Sequence, residues 1–94
     1  MSAKGIRDEN TDFLFNAIVS LKNVEECYSF FEDLCTTKEL GAMIQRHEVA
    51  SLLLDKKIYT EIMEKTNAST ATISRVKRML DQGTGCLADV ITRE

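Results

Sequence analysis

The chain has no proline and only four glycines in 94 residues, so little in it forces a helix to break. It also lacks any apolar run approaching the roughly 20 residues that a membrane span requires. Its opening stretch, MSAKGIRDENTD, has no apolar segment of the kind a secretory signal carries. The expectation is a cytoplasmic protein with no membrane partner. Cysteine is scarce and odd in number: Cys27, Cys35 and Cys86 lack CxxC spacing and have only His47 as a nitrogen co-ligand. Zinc sites show paired, closely spaced ligands, so no metal is expected and the three read as reduced, mostly buried small apolar residues. His47 precedes Glu48 with no second histidine four residues on, which removes an HExxH site. A lone helical histidine of this kind reads as a partly buried structural residue. A Gly-rich phosphate loop, a nucleophile elbow and a Ser/His/Asp set are all missing. Neither an enzyme nor a cofactor is expected.

What is present is an ordinary globular composition with an uneven charge. Apolar residues make up 44% of the chain, enough for a folded core, but 94 residues lie near the lower end of what supports one. Dimerisation is the easy way to complete so small a core. The net charge of −3 hides a strong segregation. Residues 1–35 carry three basic against seven acidic side chains, and residues 36–55 carry two against three. Residues 56–80 reverse this, with Lys56, Lys57, Lys65, Arg75, Lys77 and Arg78 against Glu61 and Glu64, a local +4. Residues 81–94 return to one against three. Screening confines an exposed charge to roughly 8–10 Å, so the local surplus, not the total, governs what this segment attracts.

Helical spacing runs through the whole chain and no strand pattern interrupts it. Residues 1–10 are polar and read as frayed. From Thr11, the residues Phe13, Leu14, Ala17, Ile18 and Leu21 form a wide apolar face. Asn23 with Glu26 makes a capping box for a second helix, whose buried stripe is expected at Val24, Cys27, Phe31 and Leu34, widened by Tyr28 and Phe30. Thr36 with Glu39 opens a long third helix through Leu40, Met43, Ile44, His47, Ala50, Leu53 and Leu54. Gly41 inside it costs about 1 kcal/mol against alanine. Two short helical patterns follow across residues 59–80. The first has Ile62 facing inward, and the turn between them is Thr66-Asn67-Ala68, with Asn67 suited to left-handed backbone. Ser69 caps the second, and Ile73, Val76 and Leu80 must face the core. Gly83 and Gly85 stop it, and Leu87, Val90 and Ile91 suggest a short terminal helix.

Helix, tight turn and a second helix led by small hydroxyl residues is how a helix-turn-helix presents a reading helix to the DNA major groove. Small residues at its start let backbone approach base edges, while basic residues further along reach phosphates. The expected DNA-binding set is Lys56, Lys57, Thr60, Ser69, Thr70, Ala71, Thr72, Ser74, Arg75, Lys77 and Arg78. The competing reading is a module of the same shape that binds protein, centred on apolar anchors such as Ile58, Tyr59 or Met63.

The segment Ala71-Thr72-Ile73-Ser74-Arg75 resembles the Ala-Thr-Ile-Thr-Arg of the tryptophan repressor's recognition helix. Upstream, Leu34-Cys35-Thr36 before an acidic helix start, and Arg46 followed by Val49-Ala50 and Leu53-Leu54, are similar to that family too. The resemblance spans roughly residues 13–90 and is strongest over 34–80. RHEVASLLLDKKIYTEI together with STATISRV resembles most the related bacterial group of YerC/YecD type. It implies a single all-α, Trp-repressor-like domain over residues 1–94. Dimerisation helices would occupy about 11–55 and 86–92, and the helix-turn-helix about 58–81. It further implies an interlocked homodimer that binds double-stranded DNA at a palindromic operator through helix 69–81, as a transcriptional regulator. Thr36, Arg46 and Arg75 match the positions that surround the family's ligand. Val76 and Met79 replace small residues there and overfill the space for a flat ring, which costs about 1–3 kcal/mol. Tryptophan is therefore not expected as the effector, and some other small molecule stays open.

Overall fold

The computed structural model describes residues 7–93, and these hold six helices and no strand. They are α1 (Glu9–Val19), α2 (Val24–Leu34), α3 (Thr37–Leu54), α4 (Tyr59–Thr66), α5 (Thr70–Gln82) and α6 (Cys86–Thr92). The all-α expectation is met. Contacts divide the chain into two compact units, one ending at Leu40 and the other beginning at Gly41.

In the first unit, side chains of the sequence itself set the helix starts. Asp8 accepts a hydrogen bond from the Thr11 N–H at 2.8 Å, so α1 begins at Glu9 rather than at Thr11. Of the stretch expected to fray, residues 9 and 10 are helical, and residues 1–6 lie outside the described residues. Asn23 accepts from the Glu26 N–H at 2.8 Å. The returning carboxylate arm of Glu26 takes the N–H of Lys22, not of Asn23. At the head of α3 the box closes reciprocally: the Glu39 N–H donates to the Thr36 hydroxyl at 3.1 Å, and the Thr36 N–H donates to Glu39 Oε1 at 2.8 Å. The Thr36 N–H, with its hydroxyl, holds the Glu39 carboxyl below the usual carboxylate range, and the Thr11 N–H does the same for Asp8. Both caps are complete at neutral pH and weaken as pH falls through those depressed values.

No residue of α1 or α2 is buried. Phe13, Val19 and Val24 are 80%, 81% and 68% exposed, and Cys27, Tyr28 and Leu34 of the expected buried stripe also face outward. Phe30 and Phe31 are half-buried and pack edge to face with ring centres 5.3 Å apart. The sequence pattern located an apolar stripe correctly, but two helices of 11 residues cannot enclose it. The cysteines follow suit: Cys27 and Cys86 are exposed and Cys35 is half-buried, contrary to the expectation of burial.

The second unit has a true core, made of Val49, Ala50, Ile62, Ala68, Ile73 and Val76. Leu52, Leu53, Tyr59, Met63, Leu80 and Ile91 pack around it, so α3, α4, α5 and α6 all contribute. Along α3 only Val49 and Ala50 are fully buried. Met43 and Ile44 of the expected stripe remain exposed, and so does His47, which was expected to be partly buried. At the C-terminus of α5, Gly83 is demanded by space: a Cβ there would come within 2.6 Å of the Met79 carbonyl oxygen.

The turn between α4 and α5 is held from inside. Asn67 adopts φ 60° and its N–H bonds to the Met63 carbonyl at 2.9 Å. The buried Thr66 hydroxyl donates to the Ile62 carbonyl at 2.8 Å and accepts from the Ala68 N–H at 3.1 Å. From α3, Gln45 Nε2 donates to the Thr66 carbonyl at 3.0 Å, tying the turn to the scaffold. Replacing Thr66 by valine keeps the shape and removes the acceptor, leaving the Ala68 N–H buried and unpaired. The expected cost is about 1–3 kcal/mol, read from urea unfolding at fixed protein concentration; a loss below ~0.5 kcal/mol would show that the turn does not depend on this hydroxyl.

Candidate nucleic-acid interface

Helix α5 is amphipathic by its sequence, and its two faces do different work. Ile73 and Val76 are buried and Leu80 is half-buried against the core. Thr70, Ala71, Ser74, Arg75, Lys77 and Arg78 are all exposed. The helix start is rigid: Ser69 accepts from the Thr72 N–H at 3.1 Å, and its hydroxyl donates to the Thr72 hydroxyl at 3.1 Å. Thr72 is thereby engaged locally and half-buried, which sets it apart from Thr70, Ala71 and Ser74. Thr60 is exposed in the first turn of α4, and Lys56 and Lys57 lie on the α3–α4 link. At the start of α4, Ile58 offers no side-chain cap.

The cations of this surface fall into two groups. Lys77 pairs with Asp81 at 3.5 Å, Lys65 with Glu61 at 3.6 Å, and Lys57 with Asp55 at 3.6 Å. These are exposed pairs, each worth no more than about 1 kcal/mol, but each lysine must leave a carboxylate to meet another anion. Lys56, Arg75 and Arg78 have no ion-pair partner among the described residues. The sequence reading overlooked Asp81, although its i+4 spacing from Lys77 on a helix was a legible signal. It also overlooked Gln45, whose role depends on an approach 21 residues away in the chain that no local pattern reports.

Arg46 and Arg75, two of the three residues expected around an effector, meet in a cleft of about 160 Å³ between α3 and α5. Ala42, Gln45, Thr72, Val76 and Met79 complete its lining. Ligand pockets ordinarily reach roughly 300 Å³ or more, so the cleft is small. The third residue, Thr36, belongs to the first unit, where its hydroxyl is committed to the α3 cap.

Comparison with known proteins places this arrangement among relatives. The family described as Trp repressor protein matches residues 9–94. The Bacillus subtilis (strain 168) protein named uncharacterized protein YerC is 52% identical over 83 residues, covering 88% of this chain and 80% of its own length. A crystal structure of a proposed Trp repressor from Staphylococcus aureus superposes with a TM-score of 0.93 at 43% identity, covering 99% of this chain and 93% of that one. A TrpR-like protein from Eubacterium eligens gives a TM-score of 0.90 at 47% identity, with 93% and 90% covered.

Proposed function

The chain belongs to the Trp repressor family, and from that premise we propose that it is a transcriptional regulator that binds double-stranded DNA as a homodimer. The family and fold are those of a helix-turn-helix regulator, not of an enzyme. The observation that carries the reading is the outward face of α5: a capped helix start with Thr70, Ala71 and Ser74 open, and beside them Arg75 and Arg78, which have no ion-pair partner among the described residues. Thr70, Ala71 and Ser74 meet base edges, and Lys56, Lys57, Thr60, Ser69, Thr72, Arg75, Lys77 and Arg78 meet or orient the sugar-phosphate backbone. Two copies related by a twofold axis read a palindromic operator with half-sites about one helical turn, ~34 Å, apart. The exposed apolar side chains of α1 and α2 support the dimer, because a second copy is the economical cover for them. No helix among the described residues is long and apolar enough to cross a membrane, in keeping with a protein that works on cytoplasmic DNA.

Tryptophan is not its effector. The reading is supported by the larger side chains at the cleft: Val76 is buried and Met79 lines it beside Arg46 and Arg75, where both take space from a flat ring. A smaller effector at that cleft is compatible with the reading. The rival, a protein-binding surface on apolar anchors, loses ground because Tyr59 and Met63 pack against the core. Only Ile58, 67% exposed, stays available of the three anchors.

Selection from a random duplex pool should return a palindromic consensus. On that duplex, Ser74→Ala should change preference at one base position by about 1–3 kcal/mol. Arg78→Ala should weaken all sequences alike and reduce the salt slope by about 0.9 per chain; it is a cleaner probe than Lys77, which Asp81 holds. Folded variants that bind every duplex as the parent does, in affinity and slope, would hand the surface to a protein partner. Sedimentation equilibrium at micromolar concentration should give twice the 10.6 kDa chain mass, and a stable folded monomer would refute the dimer. Calorimetric titration with free tryptophan should show no micromolar binding; one tight site per chain would overturn the assignment of the cleft.

A further inference from the structure

Three described residues have left-handed backbone: Lys56 at φ 63°, Asn67 at φ 60° and Gly85 at φ 90°. Glycine meets no Cβ penalty there, and asparagine is among the few side chains that tolerate the region. Lysine is the exception, since its side chain is neither absent nor able to bond back to its own peptide.

The local hydrogen bonds show that this conformation is built in. The Lys57 N–H donates to the Leu52 carbonyl at 3.1 Å and the Lys56 N–H to the Leu53 carbonyl at 3.0 Å. That is the paired closure with which a helix ends on a left-handed residue, the position glycine most often fills. A lysine held there needs a reason outside the backbone. Packing does not supply it, because Lys56 is exposed. Pairing does not supply it either: Lys57 is bound to Asp55, while Lys56 has no ion-pair partner among the described residues.

We infer that Lys56 is retained at a cost in stability because its ammonium group holds a DNA phosphate at the entrance to the helix-turn-helix. This rests on the DNA-binding reading above and deepens it. Phosphate contacts fix orientation on the duplex and not sequence. A contact on the α3–α4 link, well apart in the chain from Arg75 and Arg78 on α5, supplies a second point of attachment. The two bonds that close α3 fix the Lys56 backbone, so only its side chain has to be ordered when the phosphate arrives.

Three variants separate backbone strain from charge. Lys56→Gly removes both, Lys56→Ala removes the charge and keeps a Cβ, and Lys56→Arg keeps both. Thermal unfolding at equal protein concentration and salt-dependent binding to the duplex selected above are the readouts. Lys56→Gly should raise Tm by roughly 4 °C over both the parent and Lys56→Ala. Lys56→Gly and Lys56→Ala should each lower the salt slope by about 0.9 per chain and weaken binding roughly fivefold per contact at 0.15 M salt. Lys56→Arg should bind as the parent does. Parental affinity and slope in Lys56→Gly and Lys56→Ala would overturn the inference while leaving the regulator reading intact. An equal Tm for Lys56→Gly and Lys56→Ala would overturn the claim of a stability cost. A parent chain that binds no duplex at all would remove both readings before any variant is measured.

Discussion

The buried hydroxyl of Thr66 sits at the inside of the turn between α4 and α5. It donates to the Ile62 carbonyl and accepts from the Ala68 N–H, while Gln45 reaches from α3 to the Thr66 carbonyl. A buried, sharply turning backbone is tolerated only when its polar groups find partners, and this one side chain supplies two of them. Asn67 takes the left-handed step immediately after, and Ala68, almost fully buried, is small enough to let α5 start against the core. The direction in which α5 leaves that turn decides which of its residues face outward.

The two units of the chain satisfy the hydrophobic effect unequally. The second encloses Val49, Ile62, Ile73 and Val76 almost completely. The first leaves Phe13, Val19 and Val24 open to solvent, although covering a side chain of that size is worth about 1.5–3 kcal/mol. A short chain cannot close two cores from its own residues. A second copy laid over α1 and α2 would recover that energy and make folding depend on association.

Charge is arranged with the same division of labour. The chain as a whole carries −3 while residues 56–80 carry +4. Within that segment three lysines are matched with nearby carboxylates. The segment's cations without an ion-pair partner among the described residues are Arg75 and Arg78 on α5 and Lys56 at a helix end. Arginine presents a planar fork of donors suited to phosphate.

Much of this was legible in the residues. The capping pairs Asn23–Glu26 and Thr36–Glu39, the Ser69 cap, the left-handed Asn67 and the inward triad Ile73, Val76 and Leu80 depend on neighbours three or four positions apart. The sequence contains that information complete, because helix starts, turns and the face of a short helix are local matters. The outward set on α5 follows from the same periodicity. Burial is different, since it depends on what arrives from elsewhere in the chain. Periodicity drew an apolar stripe along α3 from Leu40 to Leu54, but only Val49 and Ala50 are fully covered, because the core shared with α4 and α5 closes over that part of the helix. Composition suggested buried cysteines, and nothing among the described residues covers Cys27. The tie from Gln45 to Thr66, the meeting of Arg46 with Arg75 and the strained backbone of Lys56 were likewise decided by tertiary structure, because each depends on how separate helices end and meet, and no spacing within one helix encodes that.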